Sequence, residues 1–165
     1  MKQWFGWSCV LAVVLVANTC DAAPGAIILV RHAEKAATGS DPGLTEMGKE
    51  RAKALARMLL NAEITAVFTS RAKRTKDTAG FSAKLAKVTP SELIGDDARA
   101  HAKRILAANG KAVLVVGHSN TIPEIIQALG GPADISIDDA EFDRIFILVP
   151  QDGTPPKVLL LRYGM

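Results

Sequence analysis

Two unbroken apolar runs restrict this chain to a small set of folds. Residues 26–30 read Ala-Ile-Ile-Leu-Val and residues 112–116 read Ala-Val-Leu-Val-Val, with no polar residue between. Half-exposed strands alternate in polarity, whereas strands covered on both faces of a parallel sheet are apolar throughout. Both runs therefore predict buried strands in an α/β sheet.

Segments with helical periodicity separate these strands. Thr45 is placed to cap the first helix, in which Ala52, Leu55, Ala56 and Leu59 recur three and four residues apart. Thr69 or Ser70 is placed to cap the second. We expect helices over about 46–61, 71–85, 97–108 and 121–129.

The remaining segments complete a mixed sheet. Residues 64–69 predict a third buried strand, and 88–90 a short edge strand. Strands at 144–149 and 157–163 flank a turn-rich connection short enough for a hairpin. The fold class is therefore α/β, a three-layer α/β/α sandwich with a mostly parallel sheet and at least one antiparallel strand.

Polar side chains follow three of the predicted strands. Arg31 and His32 end the first, Thr69 and Ser70 end the second, and His118 follows the run that ends at residue 117. Right-handed crossovers bring the carboxyl ends of parallel strands to one edge, where α/β proteins bind ligands. We expect these ends to form one site.

The first 22 residues resemble a signal peptide. Lys2 precedes an apolar stretch at 9–17 that is too short to span a membrane, and small residues favour cleavage after Ala22. Cleavage removes Cys9 and Cys20. The sequence around Cys20 is a poor lipidation signal, so we expect a domain at 23–165 with no membrane span, located in the periplasm or secreted.

The formal charge of +3 is spread over many residues of both signs and predicts no nucleic-acid partner. His101 lies in a polar helical context and is expected at the surface.

Four ordered motifs resemble the histidine phosphatase superfamily, which includes phosphoglycerate mutases, acid phosphatases and phosphohistidine phosphatases. They are Arg31-His32, Gly43-Leu44-Thr45 with its following helix, Thr69-Ser70-x-x-x-Arg74-Thr75, and Gly117-His118-Ser119-Asn120. The resemblance runs from about residue 26 to the end of the chain. It implies the same α/β architecture and a phosphatase, a phosphoric monoester hydrolase that needs no cofactor.

The resemblance also implies roles for individual residues. His32 is the nucleophile that forms a phosphohistidine, and His118 donates to a phosphoryl oxygen, although the residues alone also allow the two roles to be exchanged. Arg31 and Arg74 grip the phosphate, because a guanidinium makes two parallel charge-assisted bonds to an oxyanion. The expected substrate contacts are Glu34, Ser119 and Asn120. For Ser119 and Asn120 a role in shaping the turn after the strand is the alternative. For Glu34 a salt bridge to Arg31 or Lys35 is the alternative.

The proton donor is left open among several carboxylates. Relatives supply an acid between the middle arginine and the second histidine, where this chain offers Glu92, Asp96 and Asp97. Glu124, close to His118, is a fourth candidate. We favour Asp96 or Asp97 because both precede a helix, where capping that helix is their alternative role.

Other chemistries are weighed against this interpretation. A zinc site at His32, His118 and a carboxylate is disfavoured, because the histidines lack metal-ligand spacing and Arg31 would repel a cation. A mutase is disfavoured by the short chain and by export. The main alternative is a non-catalytic protein on the same fold that binds phosphate or a phosphosugar. The partner in either case is a small phosphorylated substrate or inorganic phosphate.

Overall fold

The computed structural model describes residues 23–164, and the predicted signal peptide at 1–22 lies outside the described residues. Four helices and six strands occur in the described part. The helices are α1 (Glu46–Met58), α2 (Lys73–Ala86), α3 (Ala98–Leu106) and α4 (Thr121–Ala128). The strands are β1 (Ala26–Arg31), β2 (Ile64–Thr69), β3 (Ser91–Glu92), β4 (Ala112–Gly117), β5 (Arg144–Gln151) and β6 (Thr154–Arg162).

All six strands form one mixed sheet in the order β3-β2-β4-β1-β5-β6. The pairs among β1 to β4 are parallel, and β5 pairs antiparallel with both β1 and β6. The predicted fold class is therefore confirmed, including the hairpin at the end of the chain. None of the helices described in 23–164 is long and apolar enough to cross a membrane.

The central strands are buried on both faces, as their uniform apolar sequence requires. Ile27 and Leu29 face α3 and α4, where they pack with Ile105 and Ile122. Ile28 and Val30 on the opposite face belong to a second apolar cluster, formed with residues of α1 and α2. Alternate residues of β1 thus enter two cores, which makes three layers.

Two of the element boundaries that differ from the prediction have a local cause. Helix α2 begins at Lys73 with Ala72 at its cap, because the Ser70 hydroxyl already accepts from the Ala72 amide at 3.2 Å and holds a turn before the helix. The edge strand lies at Ser91–Glu92 and pairs with Phe68 and Thr69, so the prediction of 88–90 was wrong. Pro90 has no amide hydrogen to donate to a ladder.

His101 also differs from expectation, because it is buried rather than at the surface. Its Nε2 atom lies 3.4 Å from the carbonyl oxygen of Ile94. The polar neighbours of His101 in the sequence occupy the outer face of α3, whereas His101 itself lies on the inner face with Ala102 and Ile105. A nine-residue helix offers too few turns to reveal this from periodicity.

Candidate active site

The register of two central strands brings the two sequence-predicted histidines together. Arg31 of β1 lies opposite Gly117 of β4, and the His32 amide continues the ladder by donating to the Gly117 carbonyl at 2.9 Å. The ring centroids of His32 and His118 are 5.4 Å apart, with an interplanar angle of 66°. Both rings therefore lie at the carboxyl edge of the sheet, as the sequence predicts.

The backbone fixes which nitrogen of His32 is free. Its Nδ1 atom lies 2.8 Å from the carbonyl oxygen of Ala33. Because a carbonyl oxygen only accepts, Nδ1 carries the hydrogen in this contact, and Nε2 keeps its lone pair. His32 thus has the tautomer that a nucleophile at Nε2 requires.

Both rings are neutral at neutral pH. Burial lowers the pKa of His32 to about 4, and the nearby charge of Arg31 acts in the same direction. Burial also lowers the pKa of His118 to about 4, followed by the charges of Arg74 and Arg31. Removal of each ring from water is therefore the largest cause, and the guanidinium charges act in the same direction.

These low pKa values predict a measurable pH dependence. In a proton NMR titration of the ligand-free protein, the rings of His32 and His118 should titrate near pH 4, well below the ordinary 6.5. The unfolded chain binds these protons near pH 6.5 and the folded chain near pH 4, so stability is lost as the pH falls through this interval. For His32 the loss approaches about 3 kcal/mol. A midpoint near 6.5 for His32 would contradict the buried, neutral ring.

Helix α2 carries Arg74 to His118. The Arg74 Nη2 atom lies 3.4 Å from His118 Nδ1, and Nη1 lies 3.9 Å from the carboxylate of Asp41. The first turns of the helix are tied to the end of β1 by Thr78, whose hydroxyl donates to the Arg74 carbonyl and accepts from the Ala33 amide. This link sets the position of Arg74 relative to both histidines.

Arg31 is held by the segment that precedes β5. Its guanidinium donates to the carbonyl oxygens of Asp138 and Glu141 at 2.8 and 3.2 Å, and it lies 3.3 Å from a carboxylate oxygen of Asp139. The Phe142 ring lies 4.3 Å from the guanidinium carbon. Burial lowers the pKa of Arg31 and the Asp139 charge opposes this effect, while the charge of Arg74 lowers the pKa further. The two arginines are therefore within electrostatic range of each other.

Both arginines retain donors for an anion. Within residues 23–164, the Nε atoms of Arg31 and Arg74 are buried and have no hydrogen-bond partner in the protein. Buried polar groups without partners are uncommon and call for an explanation. Two such donors beside a pair of neutral imidazoles suit an oxyanion.

The two residues after His118 have distinct surroundings. The Ser119 hydroxyl donates to Asp139 at 3.1 Å, so that carboxylate joins Ser119 to Arg31. Asn120 precedes α4 at the cap position but makes no side-chain cap bond. The first turn of α4 is fixed instead by Thr121, whose hydroxyl accepts from the His118 amide at 2.9 Å. Substrate contact by Ser119 and Asn120 remains a prediction.

Glu34 lies against Arg51 of α1. Its carboxylate oxygens are 2.7 to 3.0 Å from Nε and Nη2 of Arg51, and the Glu34 residue is buried. The alternative role predicted for Glu34, a salt bridge, is therefore present, but the predicted partner, Arg31 or Lys35, was wrong. Direct substrate contact by Glu34 has no support from these contacts.

The candidate proton donors are dispersed. Asp97 caps α3 by accepting from the amides of Arg99 and Ala100. Glu92 is held by Lys76 at 2.5 Å, and this bond lowers the pKa of its carboxyl. Asp96 lines a cavity of about 110 Å³ that Ser70 and His118 also line. Glu124 lies with Asp96 along a separate, open groove between α3 and α4.

Two contacting residues were not assigned to the site from the sequence: Asp139 and Phe142, which reach Arg31 from a loop more than a hundred residues away. Ser70, expected at this edge of the sheet and as a helix cap, contacts His118 Nε2 at 2.9 Å. The sequence signal that could have indicated Asp139 and Phe142 is the acidic stretch at 138–143, which precedes β5 and contains this aromatic residue.

Among residues 23–164, no group of three or more His, Cys, Asp or Glu is arranged to hold a metal ion.

Comparison with known families places this arrangement in context. Residues 27–95 match the profile of the histidine phosphatase superfamily, branch 1. This segment of the chain is therefore similar to that superfamily. It covers Arg31, His32 and Arg74, whereas His118 lies beyond it. No curated protein matches the sequence.

Several solved structures share the fold. The protein histidine phosphatase SixA complexed with tungstate aligns with a TM-score of 0.68 and 16% identity, over 83% of this chain and 96% of the other. A SixA from Agrobacterium tumefaciens, assigned as a phosphohistidine phosphatase, gives 0.64 and 18%, over 86% and 98%. A phosphoglycerate mutase from Bacillus anthracis gives 0.62 and 18%, over 86% and 93%. At these identities the likeness shows the fold alone.

Proposed function

We propose that this protein is a phosphatase that hydrolyses phosphomonoesters through a phosphohistidine on His32. The observation that carries the proposal is the geometry of the two rings. His32 holds Nδ1–H on a backbone carbonyl and presents a free Nε2, and its ring lies 5.4 Å from that of His118. Arg31 and Arg74, whose Nε atoms are buried and have no partner in the described protein, lie beside them.

In the first step, the Nε2 lone pair attacks phosphorus in line with the leaving oxygen. The N–P bond forms while the P–O bond breaks, and the bonding pair leaves on the ester oxygen, which takes a proton from a nearby acid. Arg31, Arg74 and His118 stabilise the charge on the transferring phosphoryl oxygens. The Nδ1–H bond to Ala33 stabilises the positive charge that His32 acquires on phosphorylation.

In the second step, water replaces the ring nitrogen. Its oxygen attacks phosphorus, the N–P bond breaks and returns its electrons to Nε2, and the proton of water returns to the acid. Inorganic phosphate then leaves. Because the acid gives a proton in the first step and regains one in the second, the cycle balances without a further reactant.

Asp96 is the acid that we favour. One carboxylate oxygen of Asp97 already accepts hydrogen bonds from two backbone amides. Glu92 is bound by a lysine that stabilises its ionised form. Asp96 lines the same cavity as His118 and Ser70, which places its carboxyl in the neighbourhood of the second histidine. Asp97 and Glu124 remain alternatives.

We also propose that the mature protein acts in the periplasm or outside the cell. The support is the residue pattern at 1–22, with a charged start, a short apolar stretch and small residues before Ala23. The substrate would then be a small phosphorylated compound found there, such as an envelope sugar phosphate. Detection of a mature N-terminus close to residue 23 in the periplasmic fraction or medium supports this location.

Rapid-quench labelling tests the reaction directly. Mature protein mixed with a ³²P-labelled phosphomonoester should form a base-stable, acid-labile adduct that is absent from His32→Ala. The matched control is His101→Gln, which changes the remaining histidine of the described residues and should label normally. Binding of phosphate with no label and no turnover would instead support a non-catalytic phosphate-binding protein. Loss of activity on chelator treatment would contradict the metal-independent reaction.

A further inference from the structure

Ser70 and Arg74 contact different ring nitrogens of His118. Ser70 Oγ is 2.9 Å from His118 Nε2, while Arg74 Nη2 is 3.4 Å from Nδ1 on the other side of the ring. Ser70 Oγ also lies 2.9 Å from the hydroxyl of Thr75 and 3.2 Å from the Ala72 amide. Thr75 is fully buried in the first turn of α2.

The donors and acceptors in this network fit in one way when both histidines are neutral. Arg74 can only donate, so His118 Nδ1 accepts and Nε2 carries the hydrogen. Thr75 donates its hydrogen to the Ala72 carbonyl at 2.8 Å, with the Ser70 carbonyl at 3.2 Å, and can therefore only accept from Ser70. Ser70 thus donates to Thr75 and accepts both from His118 Nε2–H and from the Ala72 amide.

We propose that Ser70 is a positioning residue that locks His118 in its Nε2–H tautomer and directs Nδ1 toward the anion. This inference rests on the proposed function and assigns Ser70 a role within it. An added proton can enter His118 only at Nδ1, beside Arg74. There it converts an acceptor into a donor aimed at the phosphoryl oxygens, on the side where negative charge arrives.

The tautomer of His118 affects the charged groups that surround its ring. The charged or titratable groups around its ring come from several elements: Arg31 and His32 at the end of β1, Arg74 of α2, Asp96 before α3 and His101 of α3. If Ser70 released Nε2, a hydrogen on Nδ1 would point at the Arg74 guanidinium, and two donors would oppose each other. Removal of the serine hydroxyl therefore disturbs the pose of Arg74 as well as that of the ring.

Imidazole ¹⁵N NMR of the mature, ligand-free protein at neutral pH tests the tautomer independently of catalysis. The His118 signals, assigned by comparison with His118→Asn, should show a protonated Nε2 and an unprotonated Nδ1 in the wild type. Ser70→Ala should shift His118 toward Nδ1–H or a mixture, and Ser70→Thr, which keeps the hydroxyl, should restore the wild-type pattern. Thr75→Val, which removes the acceptor of the Ser70 hydrogen, should give an intermediate effect.

Kinetics with p-nitrophenyl phosphate provide the second readout. We expect kcat/KM to fall roughly 10- to 100-fold in Ser70→Ala and to recover in Ser70→Thr, the range found when a partner that orients a metal-bound imidazole is removed. An Nδ1–H tautomer in the wild type would overturn the proposal, and this holds even if Ser70→Ala fails to fold. An unchanged tautomer in a folded Ser70→Ala would also overturn it. Absence of turnover in a wild type with the Nε2–H tautomer would instead contradict the proposed function.

Discussion

His32→Asn is expected to reduce turnover of a phosphomonoester by at least about 1000-fold while leaving inorganic phosphate bound. The asparagine amide replaces Nδ1 as the donor to the Ala33 carbonyl, so the local backbone contact at 2.8 Å is retained. No atom replaces Nε2, and covalent transfer therefore stops. Arg31 and Arg74 are unchanged, and phosphate affinity by calorimetry should stay within roughly threefold of the wild type, because binding and transfer use different groups.

The same comparison decides between the two histidines. If His118 is the nucleophile, His118→Asn abolishes the labelled adduct and His32→Asn retains it. We expect the reverse: His118→Asn lowers the rate but still forms the adduct, because its role is to stabilise charge. Retention of more than about a tenth of the wild-type turnover in His32→Asn would contradict the assigned nucleophile. His101→Gln controls for the general effect of replacing a buried histidine.

The sequence was sufficient to predict the central sheet because one physical demand dominates there. Strands buried on both faces must be apolar throughout, so β1 and β4 are visible as runs, and the polar residues directly after them fall at the carboxyl edge. Parallel pairing of the two strands in the observed register then places His32 beside His118. The proximity of the rings is a consequence of strand register.

The partners of Arg31 were not predictable by the same reasoning. They include the backbone carbonyls of Asp138 and Glu141, and every residue has a carbonyl, so residue identity carries no signal. The separation in sequence exceeds a hundred residues, and the loop between α4 and β5 has no periodicity that would fix its path. The Asp139 contact depends on the same loop conformation. A sequence pattern shows which face of a helix or strand is buried. The contacts of Arg31 are made by the backbone of a loop, which has no such pattern.

Glu34→Ala is expected to lower the free energy of unfolding by about 3 kcal/mol or more, because it leaves the Arg51 guanidinium without its partner. The side chains of the pair are only 11% and 16% exposed, and three nitrogen–oxygen distances lie between 2.7 and 3.0 Å. Arg51 also donates to the Tyr163 carbonyl at 3.1 Å, so it ties α1 to the end of β6. Urea denaturation followed by circular dichroism measures the change.

Two further variants separate the loss of an ion pair from other causes. Glu46→Ala removes one member of the exposed Glu46–Lys49 pair, in which the Glu46 side chain is 87% exposed, and should leave stability almost unchanged. The double variant Glu34→Met with Arg51→Met removes both buried charges and should regain most of the stability lost in Glu34→Ala, because desolvation of an unpaired guanidinium is the main cost.

Kinetics of Glu34→Ala distinguish the ion pair from the substrate contact that the sequence suggested. If the carboxylate only anchors α1 beside the site, the folded variant keeps kcat/KM within roughly threefold of the wild type below its unfolding transition. A variant with unchanged stability and a KM raised tenfold or more would place Glu34 on the substrate instead. The buried contact with Arg51 predicts the opposite pattern: a large change in stability and a small change in KM. The reason is that both oxygens of the Glu34 carboxylate are already bonded to the Arg51 guanidinium, which leaves little capacity to bind a ligand.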